Sequence, residues 1–272
     1  MENTSLWYGD LHLHTNLSYC APGDTVPDTY LPYFEKGETC ILGFANHLYP
    51  PYRIAPQDQC GLAFPGVERV LQIRPQLDAL QKKTTCRILL GCEVENVFGK
   101  EPSLPRRFAD CFDYILIGAS HILNLPEDYS GYNLSTPEKL RSRMVERFLS
   151  ACQLDYPVWT GICHPLYPNC CPWEQEVVDG ISDSTLSDCF SLAAKKNISI
   201  EIHACLYRPG TVLDKDGLSP SYLRVLSAAK YCGCHFHFST DAHRADAFAG
   251  KHHLLRLAAE KVGITKDDMS IL

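Results

Sequence analysis

Seven short apolar runs recur along the chain, and a histidine or an acidic residue stands close to the end of each. Most of the runs are near-continuous in apolar residues rather than alternating, which is typical of parallel strands covered on both faces. They occupy residues 6–11, 40–45, 87–92, 114–119, 158–163, 198–202 and 235–239. We therefore predict seven buried strands.

Segments with helical spacing of apolar residues lie between these runs. We predict helices over 67–83, 135–152, 183–197, 219–233 and 245–262, and a weaker one over 29–36, where Pro32 lies inside. Pro75 predicts a kink in the first of them, because proline lacks the N–H that a helix interior requires. Alternating strands and helices predict parallel strands joined by right-handed crossovers, as in a (β/α) barrel.

Each histidine- or acid-bearing motif stands at the carboxyl end of one of the seven predicted strands. A barrel places the carboxyl ends of its strands around one mouth, so residues from the whole chain meet there. The motifs are His12-Leu13-His14, Asn46-His47, Glu93-Val94-Glu95, Ser120-His121, His164-Pro165, Glu201-Ile202-His203 and Asp241-Ala242-His243. We predict that they form one polynuclear metal site.

The spacing of the first and last motifs supports this prediction. Residues i and i+2 of an extended strand point to the same side, so His12 and His14 can reach one ion. Asp241 and His243 repeat that spacing at the last strand. Four further histidines, at positions 235, 237, 252 and 253, lie within the last strand or the last helix, and we expect them to be structural or exposed.

The middle motifs add a carboxylate and two more imidazoles. The two oxygens of Glu93 can bridge two cations, whereas an imidazole cannot. Glu95, two residues further on, faces the same side of the strand. It either contacts the metal ligands from outside or is a surface residue. Small residues precede His121 and His164, which lets the backbone pass close to a metal.

Composition narrows the class of protein. The 272 residues are 45% hydrophobic and 21% charged, with a formal net charge of −7. A protein that binds nucleic acid through phosphate contacts is usually basic, so a nucleic-acid partner is not expected. We find no signal peptide and no apolar run of the ~20 residues that a membrane span needs. We therefore expect a cytoplasmic protein whose 14 cysteines are reduced and mostly buried.

The ordered motifs resemble those of the PHP family (polymerase and histidinol phosphatase), and most of all its histidinol-phosphatase-like branch. The resemblance is carried by residues 9–15, 19–23, 43–47, 91–93, 118–121, 163–165 and 239–243, in the family's order and over nearly the whole chain. It implies one PHP domain over residues 1–272, with a distorted seven-stranded (β/α) barrel and usually three metal ions.

The resemblance also implies how the ligands are shared. One ion would be held by His12, His14, Glu93 and Asp241, a second by Glu93, His121 and His164, and a third by His47 and His243. Three positions depart from the family. Cys20 or Asp24 stands where the family supplies a further histidine or aspartate, Asn46 replaces an acid, and His203 replaces an asparagine.

Substrate contacts are expected from two arginines. Arg208 lies where the histidinol phosphatases that this chain resembles bind the substrate phosphate. Arg244 is a second candidate because it follows His243. The planar fork of a guanidinium suits phosphate oxygens. Glu93, Asp241 and His203 are the catalytic candidates, and the role of His203 stays open between metal contact, substrate contact and packing.

These features predict a metal-dependent phosphomonoesterase with a small phosphorylated substrate. Two or three zinc, manganese or iron ions would activate a bridging hydroxide as the nucleophile. The rivals are a PHP-type phosphodiesterase or nuclease, an amidohydrolase and a non-catalytic metal-binding module. The early Glu93 and the closing Asp241-Ala242-His243 argue against an amidohydrolase, and the complete ligand set argues against a non-catalytic module.

Overall fold

Seven parallel strands form a single nearly closed barrel in a computed structural model of the chain. The structure describes residues 7, 9–18, 20–34, 40–48, 66–96, 102–120, 136–168, 173–204, 212–248 and 251–272. The strands are β1 Gly9–Leu13, β2 Ile41–Leu48, β3 Arg87–Glu95, β4 Tyr114–Gly118, β5 Trp159–Cys163, β6 Ser199–His203 and β7 Phe236–Ser239. They pair in sequence order. The prediction of a distorted (β/α)7 barrel in one domain is confirmed.

The barrel closes at its mouth, just beyond the end of β7. Leu13 of β1 forms a parallel bridge with Ala242. The amide of His14 donates to the carbonyl of Ala242 at 3.0 Å, and the amide of Ala242 donates to the carbonyl of His12 at 3.3 Å. This closure places the first and last motifs side by side.

Three strands run further toward the mouth than we predicted. β1 begins at Gly9 and includes His12, β2 extends to Leu48, and β3 extends to Glu95. His47 in β2 and Glu93 in β3 are therefore paired in register with each other, and Glu93 also pairs with Leu116 of β4. The ladder fixes their backbone, so their side chains enter the mouth from a rigid support.

Helices cover the outside of the barrel. They are α1 Leu31–Phe34, α2 Val67–Leu71, α3 Arg74–Gln81, α4 Pro137–Ala151, α5 Glu174–Asp179, α6 Asp183–Lys195, α7 Pro220–Tyr231, α8 Ala245–Phe248 and α9 His252–Lys261. Short 3₁₀ segments occupy Pro27–Tyr30, Arg106–Cys111 and Lys266–Asp268. Within the described ranges, no helix has the length and apolar character that spanning a bilayer would require.

The helix boundaries follow capping chemistry. The side chains of Thr136, Ser182 and Ser219 accept hydrogen bonds from the backbone at the starts of α4, α6 and α7. The prediction of one kinked helix over 67–83 was wrong in detail. The chain breaks after α2, and Pro75 lies in the first turn of α3, where its missing N–H costs nothing. The predicted helix over 245–262 is likewise represented by α8 and α9.

The barrel interior below the mouth is filled by two rings. A Cβ atom added at Gly43 or Gly91 would lie 2.2 Å from the Tyr114 side chain, so glycine at both positions makes room for that ring. The hydroxyl of Tyr114 donates to a backbone carbonyl of β1. His237 takes the space beside Gly161, and its Nδ1 lies 2.9 Å from Ser199 Oγ. Together these rings form a packed floor beneath the motif residues.

His237 therefore has the structural position that the sequence indicated. It is fully buried, and burial lowers its pKa to about 4. A neutral imidazole suits an interior packing role, because a charged one would carry a large desolvation cost.

Candidate metal centre

His12, in β1, and His14, directly after it, each hold one ring nitrogen against a protein group and turn the other to a common centre. His12 Nδ1 lies 2.8 Å from Glu201 Oε1, and His14 Nδ1 lies 2.9 Å from Ser18 Oγ. With Nδ1 held, Nε2 of each ring faces the mouth. Both Nε2 atoms are buried; that of His12 lacks a hydrogen-bond partner, and that of His14 lies 2.9 Å from Asp241 Oδ1. A histidine that binds a metal has this arrangement, with its second nitrogen fixed by a protein group.

Glu93 brings a carboxylate between these rings. Its Oε2 lies 3.3 Å from His12 Nε2, 3.6 Å from His14 Nε2 and 2.6 Å from His47 Nδ1. Donors about 2.0–2.2 Å from a shared tetrahedral ion lie roughly 3.3–3.5 Å from each other. The contacts with His12 and His14 are close to this spacing, as expected of atoms that converge on a cation.

Asp241 supplies the second carboxylate from the segment after β7. Its Oδ1 lies 2.9 Å from His14 Nε2, and its Oδ2 lies 3.3 Å from His203 Nε2. Burial favours the neutral acid, but His12 and His243 outweigh it and hold the pKa of Asp241 well below its ordinary value. The carboxylate is therefore an anion that links β1 to β6.

His164 enters the same centre from the end of β5. Its Nδ1 lies 3.1 Å from Ser120 Oγ, which leaves Nε2 at 3.6 Å from Glu93 Oε1 and 3.7 Å from Asp241 Oδ2. Burial lowers the pKa of His164 to about 3, so the ring is neutral, and Nε2 carries the lone pair when Nδ1 donates to Ser120. Its backbone adopts φ of 43°.

Cys163 also reaches this cluster, and the sequence analysis did not single it out. Its Sγ lies 3.5 Å from Glu93 Oε1. Burial, reinforced by the charge of Glu93, raises the pKa of this thiol well above its ordinary value. The signal in the sequence was its parity with Gly161, since both face the barrel interior, but a cysteine in an apolar run reads as a core residue.

Three histidines form the outer part of the centre. The ring centroids of His14 and His47 are 4.5 Å apart, and those of His14 and His243 are 4.1 Å apart. His243 Nε2 lies 2.9 Å from Sγ of Cys20, which is an exposed residue. Asp24 instead lines a surface pocket together with Arg244.

Four overlapping sets of ligand atoms emerge among the described residues, with all atoms of a set within 4.8 Å of one another. They are His12, Glu93, Cys163 and His164; His14, His47 and His243; His12, His14 and Asp241; and His164, His203 and Asp241. The structure thus brings together seven of the predicted ligands and His203. Neither Cys20 nor Asp24 belongs to a set among the described residues. That each of these residues binds a metal stays a prediction.

The two predicted substrate arginines differ in what the structure describes. Arg244 is 63% exposed, and its Nε donates to Asp246 Oδ1 at 3.0 Å. This guanidinium is therefore accessible from solvent and is paired with a carboxylate. Arg208 lies outside the described residues, and so does the predicted ligand His121.

Glu95 and His252 have structural partners. Glu95 is 1% exposed, and Arg147 Nη2 lies 3.4 Å from its Oε2, so the surface alternative for Glu95 was wrong. His252 Nε2 lies 3.0 Å from Asp10 Oδ2. Asp10 in turn accepts from the amide of His12 at 3.1 Å and so braces the start of the first motif.

Comparison with known proteins supports the barrel. The chain is similar to the crystal structure of histidinol phosphate phosphatase from Lactococcus lactis complexed with zinc, L-histidinol and phosphate. The TM-score is 0.64 and the identity 18%, over 95% of this chain and 94% of that one. At this identity the likeness shows a shared fold. A cryo-EM structure of archaeal ribonuclease P with mature tRNA matches at a TM-score of 0.43 and 12% identity, over 94% and 91% of the two chains, which is too weak to carry an argument. No protein-family model and no curated protein sequence matches the chain.

Proposed function

We propose that the chain is a metal-dependent phosphoesterase of the PHP family, and most closely a phosphomonoesterase of histidinol-phosphatase type. One observation carries the proposal. Buried imidazoles from several strands have one nitrogen held by a protein group while the other meets Glu93 and Asp241 at the barrel mouth. Two or three divalent transition-metal ions, zinc, manganese or iron, suit this set of nitrogen and oxygen donors.

The donor set fits such ions on its own chemistry. Nε2 of His12 would be buried without a hydrogen-bond partner if nothing bound there, which is costly for a polar atom. Bound ions supply Lewis acidity, a hydroxide at neutral pH and neutralisation of phosphoryl charge. The two oxygens of Glu93 face different histidines, so this residue is placed to bridge.

The remaining residues of the site have separate tasks. Asp241 contacts both His14 and His203, with one oxygen toward each ring. We assign His203 Nε2, at the edge of the set, to contact with the substrate or with an ion shared with His164. Arg208 is proposed to grip the phosphate of a small substrate, and Arg244 is the alternative.

A cytoplasmic location belongs to the same proposal. The ten cysteines that the structure describes are all free, and six of them are buried, at positions 86, 92, 152, 163, 189 and 234. Thiols of this kind persist in a reducing compartment. An ionised thiolate is also not required for the proposed chemistry, because the nucleophile comes from water.

Three substrates distinguish the proposal from its rivals. We expect metal-loaded protein to hydrolyse p-nitrophenyl phosphate, and to lose that activity when a chelator removes the ions. Faster turnover of bis-p-nitrophenyl phosphate would instead indicate a phosphodiesterase, and turnover of an N-acyl amino acid an amidohydrolase. A protein that holds metal but turns over none of the three would be a binding module.

A further inference from the structure

A buried carboxylate lies directly beneath the candidate metal centre and belongs to none of its ligand sets. Glu201, in β6, is 0% exposed. Its Oε1 lies 2.8 Å from His12 Nδ1, and its Oε2 accepts from the backbone amide of His164 at 2.7 Å. Nε2 of His203 and Nε2 of His237 each lie 4.0 Å from its oxygens. One side chain thus contacts groups from opposite parts of the barrel.

The contact with His12 selects the useful form of that ring. An imidazole that donates through Nδ1 carries its lone pair on Nε2. His12 Nε2 is the atom that faces Glu93 at 3.3 Å. Without an acceptor at Nδ1, the ring is free to carry its proton on Nε2, and its lone pair would then point away from the centre.

The contact with His164 holds an uncommon backbone. His164 has a φ of 43°, a left-handed conformation that residues other than glycine seldom adopt. Its backbone amide donates a hydrogen bond to Glu201 Oε2. This conformation turns the His164 side chain so that its Nε2 lies 3.6 Å from Glu93 Oε1.

We propose that Glu201 is a positioning residue of the metal centre, which orients His12 and His164 so that their Nε2 atoms meet at the two oxygens of Glu93. This inference rests on the proposed function in one respect, namely that the centre binds metal. It adds that Glu201, which belongs to no ligand set itself, is also needed for metal affinity.

A carboxylate is required because both partners are donors. Each oxygen of Glu201 accepts one hydrogen bond, from an imidazole N–H and from an amide N–H. Glutamine has the same shape but only one acceptor oxygen, so its amide group would place a donor against a donor. Either His12 or His164 must then change orientation. Groups that orient metal-binding histidines in this way typically contribute about 10- to 100-fold in metal affinity.

The test compares Glu201→Gln and Glu201→Asp with a matched control, Glu95→Gln. Glu95 is also a buried carboxylate of a barrel strand, it belongs to no ligand set among the described residues, and Arg147 Nη2 lies 3.4 Å from its Oε2. Zinc affinity of the metal-free proteins is measured by competition with a chromophoric chelator, and thermal unfolding is recorded for each. The ¹⁵N chemical shifts of the imidazole nitrogens report the tautomer of His12.

We expect Glu201→Gln to bind its tightest zinc roughly 10- to 100-fold more weakly than the wild type. The His12 ring should lose its fixed Nδ1–H tautomer. Glu201→Asp keeps both acceptor oxygens but is one methylene shorter. We therefore expect its zinc affinity to lie between those of Glu201→Gln and the wild type. Glu95→Gln should lose thermal stability and keep wild-type zinc affinity. If Glu201→Gln does not fold, the aspartate variant decides through the same measurements.

Zinc affinity within twofold of the wild type in Glu201→Gln, or in Glu201→Asp where that variant decides, would overturn the inference. An equal loss in Glu95→Gln would also overturn it, because the effect would then follow stability alone. Failure of the proposed function looks different: the wild type would bind zinc tightly and hydrolyse no phosphomonoester, and the role of Glu201 would stand. A wild type that binds no zinc would refute both.

Discussion

Glu93→Gln is the substitution that tests the candidate centre most directly. The change keeps the size and shape of the side chain and removes one negative charge. Oε2 of Glu93 lies within 3.6 Å of nitrogen atoms of His12, His14 and His47, and Oε1 lies 3.6 Å from His164 Nε2. An amide can offer only its one oxygen to a cation, and its NH₂ group would face the other.

The magnitude follows from the burial of this carboxylate. Glu93 is 1% exposed, so solvent cannot replace the charge that the substitution removes. A bound ion contributes several kcal/mol, about 3–5 kcal/mol, of charge stabilisation to the transition state, and this contribution would be lost with the ion that Glu93 helps to hold. At about 1.36 kcal/mol for each tenfold change in rate, kcat/KM should fall by about two to four powers of ten. The fold should persist, because the apolar core lies elsewhere in the barrel.

The assay combines steady-state hydrolysis of p-nitrophenyl phosphate with elemental analysis of the purified protein. We expect Glu93→Gln to lose activity and at least one bound ion, while circular dichroism stays unchanged. Glu95→Gln is the control, since it makes the same chemical change two residues further along β3 at an equally buried position. Near wild-type turnover together with full metal content in Glu93→Gln would remove this residue from the centre and refute the reasoning.

Three further outcomes are expected. The wild type purified without chelator should carry two to three transition-metal ions per chain, and elemental analysis showing less than one after reconstitution would contradict the centre. His243→Ala should lose one of these ions, whereas Cys20→Ala should keep all of them, because Cys20 lies in no ligand set among the described residues. Loss of the same ion from both variants would make the thiol a ligand. Arg208→Ala should lower kcat/KM for phosphomonoesters roughly ten- to a hundredfold with metal content intact, since a charge-assisted hydrogen bond contributes about 1.5–3 kcal/mol. Unchanged kinetics would direct the same test to Arg244.

The strands and most of the candidate site were predictable because both obey local rules. Near-continuous apolar runs mark strands covered on both faces, and the i, i+2 spacing of His12 and His14 specifies side chains on one side of β1. The phase of the motifs then follows from the barrel, whose mouth collects the strand ends. No knowledge of the pairing register was needed for these steps.

Other features depend on contacts between segments far apart in the chain. Glu201 faces the same side of β6 as His203. Its contact with His12, however, forms only when the barrel closes and brings β1 and β6 together. The burial of Glu95 depends on Arg147 from α4. Cys163 looked like a core residue because thiols are common in apolar runs. Such residues become visible only when the two sides of the barrel are placed together.

The closure of the barrel has a consequence for the way the protein is made. The His12 and Asp241 side chains meet only because Leu13 pairs with Ala242. On a ribosome that adds about 5–20 residues per second, His12 emerges roughly ten to fifty seconds before Asp241. During that interval the nascent chain displays histidines without the anions that complete their binding set. Under the proposed function, metal loading would be a late event that waits for the last strand, and the ion that enters would be selected partly by which metals are freely available at that moment.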